Sequence, residues 1–308
     1  MEHLPVMYAE SLHALKIKAN GIYVDCTFGR GGHSQGILEK LNEHGQLLAF
    51  DKDLDAIHSP IAKEMSKDSR FTLHHGSFTE LEATIKSTVE AGLVEGVFMD
   101  LGVSSPQLDT AERGFSFLKE GALDMRMNTE AGLSAAEWLA GIEEAELRQV
   151  LFEYGEERFA RRIAAAIVNE RQETPLVSTL QLAKLISDAV PFKEKHKHPA
   201  TRSFQAIRIA VNDELGELTA TLKQATAILK PEGRLVVISF HSLEDRIVKR
   251  FIRRESGYKN PPGKLPIKEV DLERGLLNKV GKMIRAGKEE VSLNPRSRSA
   301  VMRIAERV

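Results

Sequence analysis

The segment Tyr23-Val-Asp-Cys-Thr-Phe-Gly-Arg-Gly-Gly-His-Ser34 has the order of a buried strand running into a glycine-rich turn at the mouth of a helix. Gly29, Gly31 and Gly32 permit positive φ and let the backbone approach a ligand with no Cβ in the way. A helix expected from about Ser34 to Asn42 points its N-terminal amides at the same spot. A second apolar run, Gln46-Leu-Leu-Ala-Phe-Asp51, ends in an acid 20 residues after Gly31, where doubly wound folds hold ribose hydroxyls on a carboxylate. Turn and acid together read as a nucleotide-cofactor cradle; the glycines alone also fit a plain tight turn. Dinucleotide sites are built as G-x-G-x-x-G around a pyrophosphate, whereas this turn reads G-x-G-G-H and Asp25 closes the strand before it. A carboxylate there repels a pyrophosphate and suits a cationic cofactor with an amino group, which favours S-adenosylmethionine over NAD.

A later run, Gly96-Val-Phe-Met-Asp100, leads into Asp100-Leu-Gly-Val-Ser-Ser-Pro-Gln107. Ligands of open α/β sheets bind beyond the carboxyl ends of the strands, so this turn is expected beside the reactive end of the cofactor. Its acid, serines and proline offer a carboxylate, hydroxyls and carbonyls as acceptors for an exocyclic NH2. Amino-methyltransferases of nucleobases carry a comparable Asp/Asn/Ser-Pro-Pro-aromatic loop. Here Gln107 stands where the aromatic would be, so base stacking falls to Phe115, Phe117 or Phe240, each of which also reads as a core residue.

The elements that must hold these residues follow from periodicity. Apolar runs at Ile22–Cys26, Leu47–Phe50, Phe71–His74 and Gly96–Asp100 alternate with amphipathic stretches, the signature of a parallel sheet. From about Thr110 to Phe192 no strand is expected; Ser134–Ala140, Glu143–Glu170 and Ser178–Val190 show helical spacing, with Ser134 and Ser178 as caps. Alternation resumes with a helix over Phe204–Lys230, a strand over Gly233–Phe240, a basic helix over Leu243–Arg254 and an apolar run over Ala300–Ala305. The pattern predicts an α/β fold, a mostly parallel sheet interrupted by an inserted all-helical domain.

Composition agrees. With 308 residues, 42% apolar and 28% charged, the chain accommodates one large domain plus an insertion. The single cysteine, Cys26, excludes an intrachain disulfide and reads as a small buried residue rather than a nucleophile. No signal-peptide pattern opens the sequence and no apolar run reaches the roughly 18 residues of a membrane span, which points to the cytoplasm. The net charge of −1 hides an asymmetry: residues 241–308 carry 17 Lys and Arg against 9 Asp and Glu, leaving 26 against 35 in residues 1–240. The basic end suits a polyanion, with a solvated surface helix as the competing reading.

The segments Thr27–Ser34, Asp100–Asp109, Arg113–Phe117, Leu123–Arg126, Tyr154–Glu157, His198–Arg202 and Ser239–Arg246 resemble those of the bacterial ribosomal RNA small subunit methyltransferase H family, formerly called MraW. The resemblance covers nearly the whole chain. It implies a class I methyltransferase (Rossmann-like) core, residues 1–109 and 204–308, with a helical substrate-recognition domain, 110–203, inserted after the fourth strand. It also implies S-adenosylmethionine as cofactor and 16S rRNA, within the small ribosomal subunit, as partner. The activity it implies is N4-methylation of a cytidine (conventional position 1402) in the decoding region.

Carried over residue by residue, the resemblance places Gly31, Gly32 and His33 at the methionine and ribose side of the cofactor, Asp51 on the ribose hydroxyls and Phe78 beside the adenine, with Asp100 and Gln107 completing the set. Asp51 is also supported independently by its strand-end spacing. The expected acceptors for the substrate amine are Asp100, Ser104 and Ser105, in a direct in-line transfer with no covalent enzyme intermediate. RNA contacts are expected from Lys197, His198, Arg202, His241, Lys249, Arg250 and Arg253, and no metal is called for. Three other readings stay open at this level: a nicotinamide-dependent oxidoreductase, a non-catalytic cofactor-binding or assembly protein, and N4-cytosine methylation of DNA.

Overall fold

A computed structural model of the chain describes residues 5–89, 93–192, 198–258 and 273–308. It contains two compact units, residues 1–102 with 215–308, and residues 103–214.

The first unit is built on a seven-stranded sheet: β1 (Ile22–Asp25), β2 (Gln46–Asp51), β3 (Phe71–His75), β4 (Val94–Asp100), β5 (Leu229–Ser239), β6 (Leu277–Arg285) and β7 (Val301–Arg307). The spatial order is β3-β2-β1-β4-β5-β7-β6. Strands β1 to β5 are parallel, and β7 runs antiparallel between β5 and β6. The central strands read as continuous apolar runs because both faces are covered. Val24, Leu48, Val97 and Val237 enter one cluster, while their neighbours Tyr23, Leu47, Phe98 and Val236 enter the other. With β1, β2, β3 and β4 parallel, Asp25, Asp51, His75 and Asp100 all stand at carboxyl ends along one edge of the sheet.

Five longer helices make the second unit: Ala135–Gly141, Glu144–Gly155, Ala160–Glu173, Thr179–Ala189 and Ala200–Asn212. Their inward stripes, including Leu139, Leu147, Leu151, Ile163, Ile167, Leu182, Ile186 and Ile207, close a separate core. Ser134 and Ser178 cap their helices as expected, each accepting a main-chain N–H three residues on.

Several expectations are corrected. The stretch Phe204–Lys230 is not one helix: the backbone turns at Asp213, φ 48°, and a new helix, Glu214–Ile228, follows. That break is also where the units divide, so the whole helix Ala200–Asn212 belongs to the helical unit and the boundaries fall at 102/103 and 214/215 instead of 109/110 and 203/204. Glu143–Glu170 likewise splits at Glu156, φ 49°. The helix after the glycine turn is shorter than expected, Gly32–Leu38. Strand β6 was unforeseen because a bulge between Val280 and Ile284 scrambles the period-two alternation of Leu277, Val280 and Ile284.

Asp213 is exposed and left-handed, a conformation that Gly adopts freely and β-branched residues resist. Asp213→Val should lower stability by about 1 kcal/mol or more while Asp213→Gly holds or raises it, read as denaturation midpoints at constant slope.

Candidate active site

Asp25 is fully buried at the end of β1 and organises the cradle. One carboxylate oxygen accepts the Ser34 hydroxyl at 2.7 Å; the other accepts the Thr27 main-chain N–H at 3.0 Å and its hydroxyl at 3.3 Å. The Thr27 hydroxyl oxygen in turn accepts the main-chain N–H of Asp100 at 2.7 Å, which ties the ends of β1 and β4 together. Burial raises the Asp25 pKa against the pull of these three donors.

The glycine turn performs two separate tasks. Gly29 and Gly31 hold φ of 53° and 73°, and Gly29 directs its N–H at Asp51 Oδ2, 2.7 Å away. Gly32 is already helical; its hydrogen leaves room for Pro5, whose Cγ would lie 2.3 Å from a Cβ at that position. The expectation that Gly32 clears space for a ligand is therefore corrected: it clears space for the protein's own N-terminal segment.

That segment reaches His33. The imidazole is 6% exposed, its ring centroid lies 4.5 Å from that of Phe98, and Nε2 is 3.1 Å from the Val6 carbonyl. Desolvation lowers its pKa to about 4, so at neutral pH the ring carries one proton, and the Val6 carbonyl requires it on Nε2. Nδ1 then presents a lone pair 3.7 Å from Asp100 Oδ2, a close approach and not an ion pair. The Met7 N–H is held by Glu290 Oε1 at 2.8 Å, which fixes the segment from the other side.

Asp51 accepts from Gly29 and, through Oδ1, from the Asp53 N–H at 2.8 Å. A carboxylate has about four acceptor sites, so two lone pairs are left for a vicinal diol. Burial, with smaller contributions from Asp53 and Asp25, lifts its pKa to about 6. Phe78 opens a 3-10 turn just beyond β3, half-buried against the core, with Ser77 capping the turn. Asp100 is pushed well above the usual carboxylate range by burial first, then by Asp25, Glu244 and Glu290. Its Oδ1 is buried and accepts no hydrogen bond from the described residues.

This donor-poor, acid-rich corner fits a cation with N–H groups. The unsatisfied Asp100 Oδ1 and the His33 Nδ1 lone pair are acceptors awaiting a donor, and a positive charge placed there would offset the burial and the neighbouring acids that make Asp100 costly to ionise.

Ser104, Ser105 and Gln107 belong to the helical unit. There Ser104 caps the helix Ser105–Asp109 and Gln107 Oε1 accepts the Ser104 N–H at 2.8 Å, a capping box that already uses one end of the glutamine. His198 and Arg202 line a small hollow of the same unit with Phe159, Val190 and Phe192. The call on Lys197 lies outside the described residues. His241 follows β5 as N-cap of the helix Ser242–Glu255, three residues after Ile238, the register partner of Asp100. Its Nε2 is 3.1 Å from Glu244 Oε1, off the line that a hydrogen bond needs. Lys249, Arg250 and Arg253 lie two or more turns down that helix, about 12 Å or more along its axis from the end of β5. Of the proposed stacking residues, Phe115 is buried; Phe117 packs on His198 and Phe204. Phe240 joins the sheet core. Thr27, Glu290 and the Pro5–Met7 segment were missed, because their roles arise from contacts with no sequence signature.

The model of the MraW methylase family matches residues 1–308. The chain belongs to that family. Ribosomal RNA small subunit methyltransferase H from Alteromonas mediterranea is 53% identical, with 100% of this chain and 98% of the relative covered. Those from Thioalkalivibrio sulfidiphilus and Methylococcus capsulatus are 56% and 54% identical, with 99% and 98% of this chain and 97% and 99% of the relatives covered. The cofactor of this MraW methylase is S-adenosylmethionine, in keeping with the cationic, amine-accepting corner at Asp100.

Two outcomes are expected. Ribose hydroxyls donate to an ionised Asp51, and protonation competes with them; cofactor affinity should be flat above the Asp51 pKa of about 6 and fall by about tenfold per pH unit below it. Calorimetric titration from pH 5 to 8 checks this, and Asp51→Asn should bind weakly with that inflection gone. Gly32→Ala should force Pro5 off the turn, destabilise by about 1–3 kcal/mol and speed amide exchange at Met7.

Proposed function

We propose that this methyltransferase of small-subunit ribosomal RNA methylates the exocyclic N4 of a cytidine in the decoding region of 16S rRNA, within the small subunit. The observation that carries the reading is Asp100: a half-buried carboxylate, more basic than usual, with one buried oxygen that has no partner among the described residues, at the end of β4 and next in the chain to a loop of amine acceptors. S-adenosylmethionine supplies an electrophilic methyl group on a sulfonium.

The chain's residues do the rest by positioning and proton management. Asp51 would receive the ribose hydroxyls and Phe78 would hold the adenine. His33, held as the Nε2–H tautomer by Val6, offers Nδ1 together with Asp100 Oδ2 to an N–H donor. Gly31 and Gly32 form the start of the helix at the methionine side, and Gln107 completes the set. The amine of cytosine is a weak nucleophile because its lone pair is delocalised into the ring. Hydrogen bonds from its protons to the Asp100 carboxylate and to the Ser104 and Ser105 backbone return electron density to nitrogen. As the new C–N bond forms and the methyl–sulfur bond breaks, leaving a neutral thioether, the nitrogen becomes strongly acidic and its proton passes to Asp100, which burial and neighbouring acids make a stronger base than an ordinary carboxylate. The base must leave its stack to be reached; Lys197, His198, Arg202 and His241 are assigned to holding the RNA.

The test is tritiated methyl transfer to undermethylated small subunits, free 16S rRNA and DNA side by side, with nucleoside analysis of the product. N4-methylcytidine in the subunit is expected; label in DNA alone, or on another atom, overturns the assignment. Asp100→Asn should lower kcat by about 100-fold or more, and affinity for the cofactor as well if the carboxylate also holds the cofactor's N–H groups.

A further inference from the structure

The helix Ser242–Glu255 lies on the face of the sheet next to β5, β6 and β7. Its inner side is apolar, with Leu243, Val248, Phe251 and Ile252 buried, and its outer side exposes Lys249, Arg250 and Arg253. Beside it, edge strand β6 exposes Lys279, Lys282 and Arg285.

Register decides whether these belong together. Lys279 pairs with Ala305 and Arg285 with Val301, and Arg303 between those partners reaches Asp245 of the helix at 2.6 Å. Residues directly opposite in an antiparallel pair share a face, so Lys279 and Arg285 stand on the face that the helix covers. Lys282 rides on the bulge between Val280 and Ile284. None of the six cations has an ion pair or side-chain hydrogen bond among the described residues, whereas their neighbours Arg254 and Arg303 are both paired.

We propose that the outer face of this helix and edge strand β6 form one cationic platform that docks phosphates of the ribosomal RNA substrate. This rests on the reading that the substrate is ribosomal RNA. The helix cations start two turns below the strand ends, and Arg285, at the end of β6, stands three strands or about 14 Å across the sheet from β4, so the platform grips backbone remote from the target base and orients the RNA without touching the reacting atoms. Unpaired cations are what a phosphate backbone exploits, because each phosphate neutralised releases condensed counterions. Cations on an edge strand also guard it against pairing with another chain, a role that needs charge of either sign. The helix cations have no edge to guard.

The sign of the charge separates the two roles. In the triple variant Lys279→Glu, Lys282→Glu, Arg285→Glu every position stays charged, so a guarded edge stays monodisperse in sedimentation. The platform predicts binding to undermethylated small subunits at least about tenfold weaker, with the log-log salt slope flatter by about 2 units or more. Cofactor affinity stays that of wild type in calorimetry. Unchanged subunit binding and slope overturn the platform. If the triple variant associates or misfolds, Lys249→Glu, Arg250→Glu, Arg253→Glu takes its place, and unchanged binding there overturns the proposal equally. Wild-type protein that methylates the subunit while a variant binds as tightly sinks the platform alone. Wild-type protein that transfers no methyl to any ribosomal RNA sinks the substrate reading, and the platform with it.

Discussion

Asp25 is a carboxylate with no exposed surface, and its two oxygens are spoken for by Ser34 and Thr27. A buried acid costs several kcal/mol unless hydrogen bonds compensate it. The chain therefore folds its turn so that the end of β1, the start of the helix Gly32–Leu38 and, through Thr27, the end of β4 converge on that one group. Gly29 reaches Asp51, and Asp100 stands beside His33, with those three ends held together.

The same carboxylate also bears on its neighbours. Burial is the main force raising the pKa of Asp51 and Asp100; Asp25 adds to it at both, and Glu244 and Glu290 add to it at Asp100. Acids that burial and nearby charge make costly to ionise give the folded protein a preference for a positively charged ligand before one binds. His33 cannot supply that charge: burial holds it neutral at neutral pH, and the Val6 carbonyl selects its tautomer. Neutral histidine therefore serves as a hydrogen-bond acceptor beside the more basic Asp100 carboxylate.

The N-terminal segment enters the same device. Pro5 sits on Gly32, Val6 on His33, and Met7 is tied to Glu290, itself one of the acids acting on Asp100. Residues at opposite ends of the chain thus bear on one carboxylate.

The sequence by itself determined the order of the sheet-forming runs, the helical character of the insertion, the caps at Ser134 and Ser178 and the line of strand-end residues Asp25, Asp51 and Asp100. Each depends on local periodicity or on spacing within a few tens of residues, which a parallel sheet converts directly into position. Only the tertiary structure decided the rest. Asp213 ends a helix in a left-handed turn that no glycine announces, and β6 hides its alternation in a bulge. The space that a side chain at Gly32 would take is filled by Pro5, a neighbour that no local pattern announces. The basicity of Asp100 and the neutrality of His33 come from burial and from acids up to 190 residues away in sequence, Glu290 being the farthest. Spacing along a chain carries direction and order, whereas desolvation and through-space charge exist only once the chain has closed around them.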